Sequence, residues 1–351
     1  MSKLNLLLLI ILNVFFISCG SNSGKKTSEF SLELSGSKKE FQLGETLELN
    51  LKNPNNREID SVQYFFSDQR IDHSAENFSL NLPLKDQLLG NQRIAAFVFH
   101  NGFTDTIEIP VKIFSKTAPV VYTYNIIATY PHDIKAYTQG LEFYNDTLYE
   151  STGQYGSSSL RKTNFETGEV LMQVPLAEKY FGEGLSILND KIYQLTWNEG
   201  EGLIYDVKNL EREGSFNFNQ SKEGWGLCND GKQFYKSDGT EKIWILNART
   251  LAEESYIQPT TNKTISTQLN ELEWVEGKIY ANTYQKDGVA IINPVNGAIE
   301  GLINFQGLRD KVTQHADLDV LNGIAYNPNT RKLYVTGKNW DKLFEVEIIK
   351  K

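Results

Sequence analysis

Cysteine is nearly absent: the 351 residues hold two, Cys19 and Cys228. Cys19 directly follows an N-terminal stretch that reads as a signal peptide and is expected to carry a modification there, which would leave Cys228 alone, with no intramolecular disulfide possible and packing holding the fold. Histidine is scarce as well, and His73, His100, His132 and His315 are scattered with no pair at metal-ligand spacing. A zinc enzyme is therefore disfavoured, and no metal or cofactor is expected, a structural cation being left open. Basic charge is also short. Against 44 Asp and Glu stand 35 Lys and Arg, a net charge of −9 with no basic stripe, which excludes nucleic acid as an expected partner. Aromatic residues are plentiful, at 12% with 17 Tyr and 19 Phe. Segments rich in Tyr, Phe, Val and Ile recur between Gly, Asn and Asp turns, a pattern that reads as all-β. A chain of this length is too long for one ordinary core, so two folded units or one repetitive unit are expected.

Residues 4–17 are apolar except for Asn5 and Asn13 and follow Lys3. The run is short for a membrane span and has the length of a signal-peptide core. Ser18 directly before Cys19, with the polar stretch from Gly20 to Ser28 after it, resembles the lipobox of bacterial lipoproteins, although Phe16 stands where Leu is usual. That resemblance implies a signal peptide over 1–18, a lipidated Cys19, a linker over 19–28 and a membrane-anchored protein of the bacterial cell envelope, periplasmic or surface-exposed. Ordinary secretion with an incidental Cys19 is the alternative.

Residues 29–117 alternate apolar and polar positions in short runs such as Leu47-Glu48-Leu49-Asn50-Leu51, separated by turn clusters such as Asn53-Pro54-Asn55-Asn56. The spacing fits an immunoglobulin-like β-sandwich. It carries no catalytic constellation and reads as a spacer. After Thr117-Ala118-Pro119 one phrase returns five times, starting at Gln139, Glu183, Trp225, Asn270 and Asn322, with separations of 44, 42, 45 and 52 residues. A period of this size is that of one four-stranded propeller blade. Each start precedes a tyrosine (Tyr149, Tyr193, Tyr235, Tyr280, Tyr334) by 10 residues in four repeats and by 12 in the last. The fifth repeat ends with only three strands, and the orphan strand from Tyr122 to Tyr130 is available as its fourth. The expectation is an all-β chain: a five-bladed β-propeller over 120–351, closed by pairing its two ends.

In such a fold the first strand of each blade lines the channel, so the five starts form a ring. The residues four beyond each tyrosine, Gly153, Trp197, Gly239, Tyr284 and Lys338, lie at the same mouth. Together they supply one carboxylate (Glu183), one ammonium (Lys338), three amides (Gln139, Asn270, Asn322), three aromatics (Trp197, Trp225, Tyr284) and two glycines that leave room. Mixed polar groups in an aromatic pit are the usual make-up of a small-ligand pocket. Each member also has a structural alternative: a carboxylate solvated by channel water, indoles packing between blades, a lysine paired with an acidic rim.

The stretches Tyr130-Pro131-His132-Asp133, Tyr137-Thr138-Gln139-Gly140-Leu141, Glu150-Ser151-Thr152-Gly153-Gln154-Tyr155-Gly156, Tyr180-Phe181-Gly182-Glu183-Gly184-Leu185, Gly224-Trp225-Gly226-Leu227, Leu269-Asn270-Glu271-Leu272-Glu273, Asp319-Val320-Leu321-Asn322-Gly323-Ile324-Ala325 and Val335-Thr336-Gly337-Lys338 resemble, in order, those of the plant-type glutaminyl cyclases. The resemblance runs from Tyr130 to the C-terminus and leaves the sandwich outside. It implies a metal-independent glutaminyl-peptide cyclotransferase that turns N-terminal glutamine of peptides into pyroglutamate and releases ammonia, with Glu183 as acid/base. It also implies supporting roles for Gln139, Phe181, Trp197, Trp225, Asn270 and Lys338. Tyr137 stands where the family usually has Phe, and Tyr284 where the plant enzymes carry Trp. Chemically, Glu183 can take a proton from the amine and return it to the departing ammonia, while Lys338 and Asn270 are the candidates for the oxyanion. A monomer with peptide substrates is expected. The competing reading is a non-catalytic envelope propeller that binds peptide N-termini or sugars.

Overall fold

The computed structural model describes residues 28–67, 69–74 and 78–351. The signal peptide, Cys19 and the linker up to residue 27 lie outside the described residues. Among the described residues the regular structure is strand, with two short 3-10 turns and no α-helix.

The N-terminal part is two sheets around one core. Strands Ser31–Leu34, Thr46–Lys52 and Ser79–Pro83 form one sheet, and Glu40–Gln42, Ser61–Phe66, Gln69–Ser74, Gly90–His100 and Phe103–Phe114 the other. The alternation seen in sequence is what fills the space between them: Leu47, Leu49, Tyr64, Ile94, Val98, Val111 and Ile113 all point inward and are buried. The pair makes contact with the C-terminal part. Ala298, from the C-terminal part, completes its core, Ser115 N donates to Thr260 Oγ1 at 3.2 Å, and Asn91 N donates to Gln258 Oε1 at 2.6 Å. Gly90 has φ +90°, and a Cβ there would lie 2.2 Å from Gln258 Oε1; close approach of the two parts requires glycine at this point.

From residue 120 onward the chain makes successive four-stranded antiparallel units. Three are separate sheets, and the last two are halves of one eight-stranded sheet. Their first strands, Thr138–Tyr144, Gly182–Leu188, Leu227–Asn229, Leu269–Val275 and Leu321–Asn327, touch one another in cyclic order, the fifth returning to the first. Apolar clusters fill each gap between neighbouring units, for example Leu141, Phe143, Leu148, Ala325, Tyr334 and Leu343 between the fifth and the first. The fourth strand of the fifth unit is Val120–Pro131, paired antiparallel with Lys342–Lys350 and, through residues 120–122, in parallel with the fourth unit. The expected pairing of the two ends of the ring is therefore present. The second strands begin two residues before each repeat tyrosine, so the tyrosines stand inside their strands and not at the first position.

The registers explain the repeated phrase. In every unit the residue three after the start pairs with the repeat tyrosine: Glu142 with Tyr149, Ser186 with Tyr193, Cys228 with Tyr235, Glu273 with Tyr280 and Ala325 with Tyr334. The two extra residues of the fifth hairpin lie in its turn and leave this register intact. The glycine after the start answers to close approach of neighbouring first strands: a Cβ on Gly140 would lie 2.5 Å from Leu185 N, and one on Gly226 2.0 Å from Asn270 O. In the four units other than the third, the register slips at the start residue. Such bulges re-aim a side chain beside a site, and here they bring Gln139, Glu183 and Asn270 to one cavity. Cys228 is a buried free thiol.

Candidate active site

A cavity of about 240 Å³ is lined by Tyr137, Gln139, Gln154, Phe181, Glu183, Trp197, Trp225, Asn270, Tyr284 and Lys338. Nine of these were expected from the sequence, and Gln154 was not. Asn322, also expected there, stands one layer behind: its Nδ2 donates to Thr138 O at 2.9 Å and to Gln139 Oε1 at 3.2 Å. Its small side chain, set back on the same bulge, reaches Gln139 rather than the cavity, so its role is to orient that amide. Thus oriented, Gln139 Nε2 donates to Glu183 Oε1 at 2.9 Å.

Glu183 is 4% exposed. Its Oε2 is buried with no hydrogen-bond partner among the described residues, so one oxygen is held and the other is free. Burial holds its carboxyl well above the usual carboxylate range; Lys338 opposes this, while Glu223 and Glu199 add to it. Lys338 is buried too, and that burial lowers its ammonium, against the pull of Glu183 and Asp319. Its Nζ lies 4.7 Å from the centre of the Tyr137 ring and 5.6 Å from that of Tyr284. The Tyr137 hydroxyl donates to Asp319 Oδ2 at 2.8 Å. Burial first, then that carboxylate, keeps the phenol protonated.

The walls are aromatic rings packed edge to face. Phe181 meets Tyr137 at 6.2 Å, Tyr155 at 5.4 Å and Trp197 at 5.5 Å between centroids, and Trp225 meets Tyr284 at 5.7 Å. The two ring glycines do leave room, and these walls occupy it: a Cβ on Gly153 would lie 2.3 Å from the Phe181 ring and one on Gly239 2.5 Å from the Trp225 ring. A wider trough of about 760 Å³ adjoins at Tyr137 and Gln154 and extends past Tyr155, His315 and Asp317. Gln154 has φ +93°, a left-handed conformation that a non-glycine residue adopts only when its surroundings enforce it. Among the described residues no three His, Cys, Asp or Glu side chains come together as metal ligands.

The residues that sequence reasoning missed, Gln154, Glu199, Glu223 and Asp319, lie in connections between strands. Gln154 stands one residue beyond the repeated position four after each tyrosine, where Gln285 and Asn339 share its positive φ, and Glu223 stands two before its start, as Tyr137 and Phe181 do; neither offset is among the two rings read from the repeat. Gln154 and Asp319 did stand inside stretches quoted for the resemblance.

Residues 101–348 match the model of the glutamine cyclotransferase family. The chain belongs to the glutamine cyclotransferase family. It is 38% identical over 227 residues to a glutaminyl-peptide cyclotransferase of Arabidopsis thaliana, covering 64% of this chain and 70% of the relative. The crystal structure of Myxococcus xanthus glutaminyl cyclase superposes with a TM-score of 0.62 and 32% identity, covering 66% of this chain and 99% of that one. The cyclotransferase match starts earlier than the motifs suggested: it takes in the strand Phe103–Phe114 of the sandwich as well as the ring.

Proposed function

We propose that this chain is a metal-independent glutaminyl-peptide cyclotransferase, an acyltransferase that converts N-terminal glutamine of peptides and proteins to pyroglutamate with release of ammonia. The observation that carries the reading is the free, buried Oε2 of Glu183 in an aromatic cavity that offers both an ammonium and amides. A pocket that only bound ligands would gain nothing from leaving that oxygen unpartnered, because an unsatisfied buried acceptor costs stability. The ring is read as a five-bladed β-propeller over 120–351 with the site at one mouth of its channel, and 29–117 as an immunoglobulin-like sandwich docked on it. A lipid anchor at Cys19 would hold this monomer in the bacterial cell envelope.

In the reaction the α-amine attacks the side-chain amide carbon, a five-membered lactam forms and the C–N bond to the leaving nitrogen breaks. The barrier is lowered by holding the side chain folded back on itself, which the cavity walls do. Burial raises the Glu183 carboxyl, which suits it to carry a proton between the two nitrogens. Oε1 already accepts from Gln139, so Oε2 is the oxygen left to do so. Oε2 takes a proton from the attacking amine and gives it to the leaving nitrogen, ending as it began. Lys338 and Asn270 face the same cavity and are placed to hold the carbonyl oxygen as it gains charge. Gln139, with Asn322 behind it, fixes the carboxyl. Tyr137, Phe181, Trp197, Trp225 and Tyr284 enclose the glutamine side chain.

Ammonia release from a Gln-initiated peptide tests the reading. The expected result is ammonia stoichiometric with pyroglutamyl product, with a pH profile whose limbs are set by the α-amine, near about 8, and by Glu183. No release above background between about pH 5 and pH 9 overturns it.

A further inference from the structure

Glu223 lies outside the cavity yet touches two of its walls. Its Oε2 accepts from Trp197 Nε1 and from Trp225 Nε1, each at 2.8 Å. The two indoles belong to neighbouring units of the ring, Trp197 following the second strand of one and Trp225 preceding the first strand of the next. An indole nitrogen can only donate, and one carboxylate oxygen has two lone pairs, so a single atom satisfies both rings.

The base of this arrangement is fixed. Glu253 Oε2 accepts from Gln220 N at 2.6 Å and Ser221 N at 2.9 Å, and Glu253 Oε1 pairs with Lys236 at 2.8 Å with both side chains buried. Gly224 N donates to Trp197 O at 3.0 Å. The segment that carries Glu223 is thus tied to both units before its carboxylate reaches the indoles.

We propose that Glu223 is a positioning residue, clamping Trp197 and Trp225 into one wall and setting a negative charge facing the reacting carboxyl. The proposal rests on the reading of Glu183 given above. Glu183 is faced by Lys338, which draws its proton away, and by Glu199 and Glu223, which hold it on; Asp319 stands beyond Lys338, and Tyr137 and Tyr155 face the carboxyl as neutral phenols. Glu223 therefore does two separable things. As an acceptor it holds the walls against the substrate side chain, and as an anion it keeps Glu183 protonated at higher pH.

Two variants separate these. Glu223→Gln keeps a carbonyl that can accept from both indoles and removes the charge. Its near-ultraviolet circular dichroism and KM should stay close to the parent, while the limb of the kcat/KM profile that Glu183 sets moves down by about one pH unit. Glu223→Ala removes the clamp as well, and should change the tryptophan signals and raise KM about tenfold with far-ultraviolet dichroism unchanged. Glu223→Asp should recover the charge effect on the profile more fully than the indole signals, its carboxylate being one methylene short.

A Glu183 limb in Glu223→Gln that overlays the parent overturns the charge role, and parental tryptophan spectra and KM in Glu223→Ala overturn the clamp. If Glu223→Ala does not fold, Glu223→Gln alone decides the charge role, and the tryptophan spectra of Glu223→Asp decide the clamp, parental signals overturning it. If the parent releases no ammonia at all, the cyclase reading falls by itself. The clamp is still read from the spectra, and the charge from an infrared titration of the carboxyl band lost in Glu183→Gln, which should shift down in Glu223→Gln.

Discussion

The two ends of the first strands in the ring hold the same kind of residue in different states. At one end stands Glu183. Three residues further along lies a second cavity of about 410 Å³, with Glu142 and Glu273 in its lining and Glu271 buried nearby. Burial raises the carboxyls of all four, so a raised proton affinity does not tell them apart. Their hydrogen bonds do. Glu142 accepts from Ile187 N at 3.1 Å, Glu271 from Ile324 N at 3.0 Å and Glu273 from Tyr326 N at 2.7 Å. Each takes a backbone N–H that a neighbouring strand would otherwise leave orphaned. Glu183 instead keeps one buried oxygen with no partner. A satisfied buried acid is part of the fold, whereas a half-satisfied one is available for chemistry.

The sharpest way to break this contrast is Glu183→Gln. Turnover should fall by about a thousandfold, as expected for loss of a general acid/base, with the thermal midpoint retained; Glu271→Gln should leave turnover intact, because its carbonyl can still accept from Ile324 N. Equal losses of turnover in the two variants would end the distinction. Next in size, Glu271→Ala leaves Ile324 N buried without a partner and should cost about 1–3 kcal/mol in denaturant unfolding while kcat is kept.

A further effect is in the pH dependence of stability. The Glu142 carboxyl is pushed by burial from 4.5 to about 8 in the folded chain, against the hydrogen bonds from Ser186 and Ile187 that lower it. Below about pH 4.5 folded and unfolded chains both hold that proton, so its contribution is complete there. Between about 4.5 and about 8 only the folded chain holds it, and stability falls as pH rises through that window. Unfolding curves of Glu142→Gln should show a shallower decline over the same range.

Much of the ring was legible because each unit buries the same kinds of residue at the same register. The five starts, their tyrosines and the closing strand all follow from that repetition, and so does the convergence of Gln139, Glu183, Asn270 and Lys338 on one cavity. The repetition cannot tell whether a ring position faces the cavity or the layer behind it, and Asn322 fell on the hidden side for that reason. It also says little of the residues that flank the strands: Glu223 stands two before its start, as Tyr137 and Phe181 do, yet it meets the site through two indole hydrogen bonds and not as an aromatic ring. The sandwich was readable as alternating strands, but its docking through Gln258 and Thr260 depends on side chains 167 and 145 residues away from their partners, and no local pattern announces such contacts.

The strand Val120–Pro131 has a consequence for biosynthesis. Its antiparallel partner, Lys342–Lys350, is made only after the whole of the intervening ring. At a synthesis rate of about 5–20 residues per second the intervening stretch takes roughly ten to forty seconds. Throughout that time the first unit has no neighbour on one side, and the pocket lacks Lys338. The ring, and with it any activity, is assembled only once Lys342–Lys350 has emerged.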